Sequence, residues 1–245
     1  MLDYASQYMH GVLAMLRQVM ETQHEGFSRA ADCMTSAVRG GGRILLFGTG
    51  HSHLLAVEGH HRAGGLAAVT PILHSTIMMH ESAAVATQLE RTSGIAKILL
   101  ARYKPTSQDC LVVISNSGVN AVPVEMAQAG KAAGMQVIAL VAFAYAQQAP
   151  LSVVGLRLPE IADIVLDNGG IAGDALVEVG GGAKSGATST VVGAFILNAL
   201  FTEVAGRLGA EAGQMPPIYI SSNMPGASEH NHQLMAQYAA GNPHL

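Results

Sequence analysis

The sequence predicts a doubly wound α/β sandwich, a parallel sheet covered on both faces by helices. Three observations lead there. Short, unbroken apolar runs of strand length recur along the chain, at Arg43 to Phe47, Cys110 to Ile114 and Gln136 to Ala142, with stretches of helical spacing between them. Parallel strands need crossovers of about a dozen residues or more, and those helical stretches supply them. Apolar residues make up 49% of the 245 and charged residues only 12%, roughly half the usual share of about 25% charged. A large buried core is therefore expected and disorder is excluded.

Taken in order, Leu2 to Val38 carries Leu13, Leu16, Val19 and Met20 at three-to-four-residue steps and reads as one long leading helix or two. Gly40-Gly41-Gly42 stops it. Arg43 to Phe47 is a strand, and Gly48-Thr49-Gly50 is the tight turn that follows. Ser52 to Arg62 returns to helical spacing, Gly64-Gly65 ends it, and Ala67 to Leu73 forms a second short strand. Glu81 to Tyr103 is read as a helix and Lys104 to Asp109 as a polar turn. Cys110 to Ile114 then runs straight into Ser115-Asn116-Ser117-Gly118. Pro123 to Ala133 is a helix, Gln136 to Ala142 a strand, and Ile164 to Asp167 a short strand before a glycine-rich region. After Gly180-Gly181-Gly182, Ser185 to Leu208 is a long apolar helix opened by the capping-type residues Thr188, Ser189 and Thr190. The tail, Gln214 to Leu245, carries Pro216-Pro217 and the polar run Ser228-Glu229-His230-Asn231-His232. No internal repeat or low-complexity tract interrupts this order. One domain over 1–245 is expected, with a helical segment at 1–39, an α/β core at 40–212 and a tail at 213–245 that contributes to a pocket or a dimer.

Composition narrows the function. Lys plus Arg number 13 against 17 Asp plus Glu, a net charge of −4 with no basic run, so a nucleic-acid partner is not expected. The longest clean apolar run, Val137 to Ala146, has ten residues, short of the roughly 20 that span a bilayer. No membrane partner is expected. Met1-Leu2-Asp3 opens with an acid rather than a basic segment, and Cys33 and Cys110 lack metal or redox spacing, so the expected location is cytoplasmic. No cofactor is expected either. The first turn does not complete G-x-G-x-x-G and has no acidic residue ending a second strand about 20 residues on, and it lacks the Gly-Lys-Ser/Thr ending of a P-loop.

In doubly wound sheets, ligands sit beyond the carboxyl ends of the strands, at helix N-termini where free N–H groups and the helix dipole favour an anion. Two strand ends qualify, Gly48-Thr49-Gly50-His51-Ser52 and Ser115-Asn116-Ser117-Gly118-Val119-Asn120. Each turn alone reads equally well as a helix cap. Together, before a long helix opened by Thr188-Ser189-Thr190, they resemble the sugar isomerase (SIS) domain, a flavodoxin- or Rossmann-like three-layer sandwich that binds phosphosugars. Arg62-Ala63-Gly64-Gly65-Leu66 and the tail segments Pro225-Gly226 and Glu229-His230-Asn231 are most similar to a bacterial phosphosugar-binding branch of that family. The likeness covers nearly the whole chain. It implies that Ser115, Asn116, Ser117 and Asn120, with Gly50, His51 and Ser52, grip the anion of an open-chain sugar. It also implies an aldose-ketose isomerase, although binding-only regulators share the turn.

Isomerisation needs a base that carries a proton between C1 and C2, with further groups to polarise the carbonyl and open the ring. Glu58 is the only acid on the helix after the first turn, and the resemblance places an essential glutamate on that helix. It reads alternatively as an exposed residue or the partner of Arg62 at i,i+4. His51, His53, His60 and His61 crowd the same segment and suit a metal, an ordinary polar role or proton shuttling. Their spacing matches no standard zinc motif, so no metal is assigned. His61, three residues after Glu58, is the better partner. By resemblance His230 is a candidate for ring opening, against a bland reading as part of a surface helix start. Lys184 is either an anion-neutralising residue before the last long helix or a solvated lysine. His74, His80, Glu81, Glu90 and Arg91 receive no role beyond pocket lining. The expected protein is an isomerase of a small anionic sugar, a phosphate or a sulfonate, built as a homodimer or higher homo-oligomer. The competing expectations are a non-catalytic sensor and a sugar-phosphate lyase or etherase.

Overall fold

The computed structural model describes residues 3–213 and 215–245; Leu2 and Gln214, where two of the expected segments begin, lie outside them. The leading segment is two helices, α1 (Asp3–Thr22) and α2 (His24–Arg39), separated at Gln23. The Gln23 side-chain oxygen accepts the Asp167 N–H at 3.0 Å. Next come β1 (Ile44–Gly48), α3 (Ser52–Glu58) and β2 (Val69–Pro71). The expected helix from Glu81 to Tyr103 is instead two, α4 (Ala83–Leu89) and α5 (Ile95–Ala101). Gly94, at φ +92°, breaks it, a backbone state that costs glycine little and most other residues more. There follow β3 (Cys110–Ile114), α6 (Ala121–Ala132), β4 (Gln136–Val141), α7 (Phe143–Gln148), α8 (Leu158–Ile161) and β5 (Ile164–Asp167). A hairpin of β6 (Val177–Gly180) and β7 (Ala183–Ser185) leads to α9 (Ser189–Ala212) and, in the tail, α10 (Ala227–Tyr238).

The sheet has five parallel strands in the order β2-β1-β3-β4-β5. Every residue of β1 and β3 is buried, as strands covered on both faces must be. Side chains alternate between two cores. Ile44, Leu46, Cys110, Val112, Ile114, Ile138 and Leu140 pack against α1, α2, α3 and α9. Leu45, Phe47, Leu111, Val113, Val137, Ala139 and Val141 pack against α5, α6 and α8. The stretch Ser189–Ala210 is long and apolar enough to cross a membrane. Its Val192, Ile196, Leu197, Leu200 and Val204 belong to the first core, the pattern of an internal helix.

The tail closes one side of the sheet. The Ala67 N–H bonds the Pro217 carbonyl at 2.8 Å, and Tyr219 and Gly65 pair their backbones beside it. Near the carboxyl terminus the Tyr103 hydroxyl and His244 Nε2 lie 2.8 Å apart, and the His60 and His244 rings meet edge-on at 6.1 Å. Burial pushes the imidazoles of His60 and His244 below their ordinary 6.5, and each would be made worse by a charged neighbour. The sign follows. Unfolded chains take up these protons near 6.5 while the folded protein resists, so stability falls as pH drops below that value. The melting temperature is expected to decline between about pH 7.5 and 5.5, and less steeply in His244→Phe. An unchanged slope in that variant would remove the tail histidine from the account.

Candidate functional site

The strand order 2-1-3-4-5 reverses direction between β1 and β3, the switch point at which doubly wound folds hold ligands. Gly48 and Ile114, the last residues of these strands, are register partners. The two glycine- and hydroxyl-bearing turns therefore leave the sheet side by side at its carboxyl edge. In the first, a Cβ on Gly48 would stand 2.4 Å from the Ser52 carbonyl oxygen, so only glycine lets the chain double back into α3. Gly50 adopts φ +56° and gives its N–H to Ile77 at 2.9 Å. The Ser52 N–H bonds the Thr49 carbonyl at 3.0 Å.

In the second turn Ser115 is buried and its hydroxyl accepts the Gly118 N–H at 3.2 Å, so it shapes the bend. Asn116 Oδ1 accepts from Asn168 Nδ2 at 3.1 Å, and Asn168 Oδ1 accepts the Gly170 N–H at 2.8 Å. Ser52, Asn116, Asn168, Ser189 and Thr190 line a crevice of about 10 Å³ floored by Leu55, Ile114 and Leu140, with room for a single water-sized group. Ser117 and Asn120 are both half-buried and belong to a different cavity. They line an open cavity of about 600 Å³ with Arg91, Tyr145 and Ser152, a volume within the usual range for small-molecule sites.

Three residues that the sequence reading left aside hold this rim. Glu90 joins the two turns: its Oε2 accepts the Thr49 hydroxyl at 2.8 Å and its carbonyl accepts the Val122 N–H at the start of α6 at 3.0 Å. Asn168 stands just past β5, buried to 3% exposure. Asp174, at φ +48°, caps α9. Its Oδ1 accepts the N–H groups of Thr188 and Ser189 at 2.9 and 3.0 Å, and its Oδ2 accepts the Ser189 hydroxyl at 2.6 Å. That carboxylate already complements the helix dipole. Lys184 is exposed in β7, in register with Glu178.

The remaining residues singled out from sequence lie elsewhere. His51 is exposed at the start of α3, and His53 is buried with Nδ1 3.1 Å from the Gly48 carbonyl. Burial pushes its imidazole down. Glu58 ends α3, half-buried, ion-paired with Arg62 and 3.5 Å from Asn198 Nδ2. The expected helix to Arg62 stops there because His61 turns to φ +43°. The His61 ring meets Tyr219 edge-on at 4.7 Å. His230 Nε2 bonds the Ile218 carbonyl at 2.8 Å, and Asn231 clasps both backbone groups of Ile220. His61, Arg62, Tyr219, Ser221 and Asn231 line a cavity of about 280 Å³ between α3 and the tail. Among the described residues, no three His, Cys, Asp or Glu side chains converge as metal ligands would.

A doubly wound sheet with paired polar turns at its switch point defines a class, and sequence comparison names it. Residues 7–142 match the SIS domain model, and the chain belongs to that family. UPF0309 proteins of Brucella canis and Brucella ovis are 42% and 41% identical to it over 246 residues, covering 100% of each chain. Among solved structures, phosphoheptose isomerase from Neisseria gonorrhoeae superposes with a TM-score of 0.58 at 17% identity, over 83% of this chain and 98% of that one. The sugar isomerase domain of an RpiR transcription factor from Sphaerobacter thermophilus gives 0.53 at 17% identity, over 96% and 98%. At these identities the structural likeness establishes the fold.

Proposed function

We propose that this SIS-domain protein is a cytoplasmic aldose-ketose isomerase of a small sugar bearing a phosphate or sulfonate. The juxtaposition of the two polar turns at the switch point carries the reading. Ser117 and Asn120 hold the anion in the open cavity, Ser52, Ser115 and Asn116 shape its seat from behind the turn, and Gly50 and His51 carry the chain past it. Glu58 lies six residues along α3 from Ser52, about 9 Å at 1.5 Å per residue, comparable to the reach of an extended sugar chain. Its carboxylate takes the proton from C2 of the aldose and returns it to C1. Arg62 and Asn198 fix its position. His61, beside the tail, moves the hydroxyl proton, and His230 supports ring opening by holding the tail against that wall. Lys184 adds positive charge from the hairpin. Exposed Met9, Leu13 and Met20 form an apolar stripe on α1, consistent with a homodimer, which light scattering of the native chain tests.

The second reading, a sensor that binds the sugar without chemistry, draws on the engagement of Glu58 by Arg62. The two separate experimentally. A thermal-shift panel of sugar phosphates and sulfonates identifies the ligand, since one present at 100 times its Kd stabilises by about 2.7 kcal/mol. With that ligand, Glu58→Gln is expected to keep binding and to lower turnover by about 10²- to 10⁴-fold. Absence of C2 proton exchange with deuterated water in the wild type would leave the sensor reading in its place.

A further inference from the structure

Cys33 and Cys110 are distant in sequence, yet the fold brings both to the wall of one cavity. Cys33 sits on α2 and packs against the core that holds Cys110, the first residue of β3. Cys110 is buried and Cys33 is half-buried. Both line a cavity of about 470 Å³ at the amino edge of the sheet, with Arg29, Asp32, Ser36 and Gln108 around them. This is the edge opposite the proposed sugar site, so the pair is outside that chemistry.

The two thiols are unequal. Interaction with Cys110 favours the Cys33 thiolate and draws its pKa below the ordinary 9.0, against the opposing effects of burial and Asp163. Interaction with Cys33 and burial push Cys110 well up. A half-buried thiol that opens on the cavity, with a fully buried thiol behind it in the same cavity, is the arrangement of an attacking and a resolving cysteine.

We propose that Cys33 and Cys110 form a redox-active dithiol site whose oxidant is a low-molecular-weight disulfide of the glutathione type. The Cys33 thiolate attacks one sulfur of that disulfide, forms a mixed disulfide and releases one small thiol, which takes up a proton. Cys110 then loses its proton and attacks Cys33 Sγ, the bond to the small thiol breaks, and a second small thiol leaves. Two protein thiols become one disulfide as one small disulfide becomes two thiols, so no further oxidant is required.

The full-length protein, incubated with oxidised glutathione, alkylated with iodoacetamide and weighed by mass spectrometry, tests this. The wild type is expected to lose both alkylatable thiols with no retained glutathione, and to recover both with dithiothreitol. Cys110→Ser is expected to stop at a glutathione adduct on Cys33, and Cys33→Ser to leave Cys110 unreacted. Cys110→Ala serves where the serine variant fails to fold. Persistence of both thiols, a stable adduct in the wild type, or disulfides formed only between chains would each overturn the proposal.

Discussion

Arg43→Ala is expected to be the most damaging single change to stability, by about 3–5 kcal/mol, because it strands a buried carboxylate. For a chain of this size that corresponds to a fall of roughly 6–20 °C in melting temperature. Arg43 and Asp109 are 8% and 3% exposed. They meet through two parallel bonds, Nε to Oδ1 at 3.1 Å and Nη2 to Oδ2 at 2.8 Å. Asp109 also accepts the Arg43 and Thr106 N–H groups, both at 2.8 Å. The guanidinium reaches on to the carbonyls of Tyr103 and Gly241, so the same residue ties the start of β1, the turn before β3 and the carboxyl terminus. Burial alone would raise the Asp109 carboxyl, but the Arg43 bonds and charge, with the Thr106 N–H, hold it below its ordinary 3.8. A depressed carboxylate stabilises above its unfolded pKa and loses that contribution as pH falls through the folded value. Denaturant titration should therefore show the wild-type advantage over Arg43→Ala shrinking in acid. The double variant Arg43→Met with Asp109→Leu should recover much of the loss, since a buried pair replaced by apolar groups of similar volume is often neutral. A loss below about 1 kcal/mol in Arg43→Ala, the range of a surface pair, would show that the contact is not desolvated as described.

The parts of this protein that were legible in sequence are those whose signal is local. β1, β3 and β4 are continuous apolar runs because both faces are covered, and the two polar turns follow β1 and β3 directly, so the fold and the pairing of those turns could be read together. The hairpin of β6 and β7 was not: no strand was expected around Gly180-Gly181-Gly182, because the flanking strands are short and mostly exposed, without an apolar face to mark them. The histidine cluster is dispersed for the opposite reason. His53 and His61 are close in sequence, but α3 ends at Glu58 and the backbone turns, so one faces β1 and the other the tail. Glu90, Asn168 and Asp174 come to the rim from three different loops. Nothing adjacent to them in sequence shows that their carboxylates and amide will meet Thr49, Asn116 and the start of α9. Asp174 is instructive: a helix opened by Thr188-Ser189-Thr190 looks self-capped, yet the capping oxygen comes from a residue ahead of the hairpin.

Gly48→Ala is the corresponding test of the cradle, and is expected to weaken sugar-anion binding by about 10²-fold while the fold survives. The added Cβ would lie 2.4, 2.6 and 2.8 Å from the carbonyl oxygen, carbonyl carbon and Cβ of Ser52. Two of these are backbone atoms of the first turn of α3 and cannot rotate away, so the turn itself has to move. Ser52 would shift relative to Asn116 and Ser117, whose positions are fixed by β3 and by the bonds to Asn168 and Ala142. A displacement of about 1 Å at a positioning group costs on the order of 10²-fold in function. The strand itself has other support, because β1 is paired on both sides through residues before Gly48. Gly206→Ala supplies the control, since a Cβ there meets nothing within 4 Å and the position is inside α9. It should raise stability by about 0.5–1 kcal/mol and leave ligand binding as in the wild type. Isothermal titration with the ligand found in the thermal-shift panel reads both variants. Wild-type affinity in Gly48→Ala would mean that the anion is held without the first turn, and the juxtaposition at the switch point would lose its functional meaning.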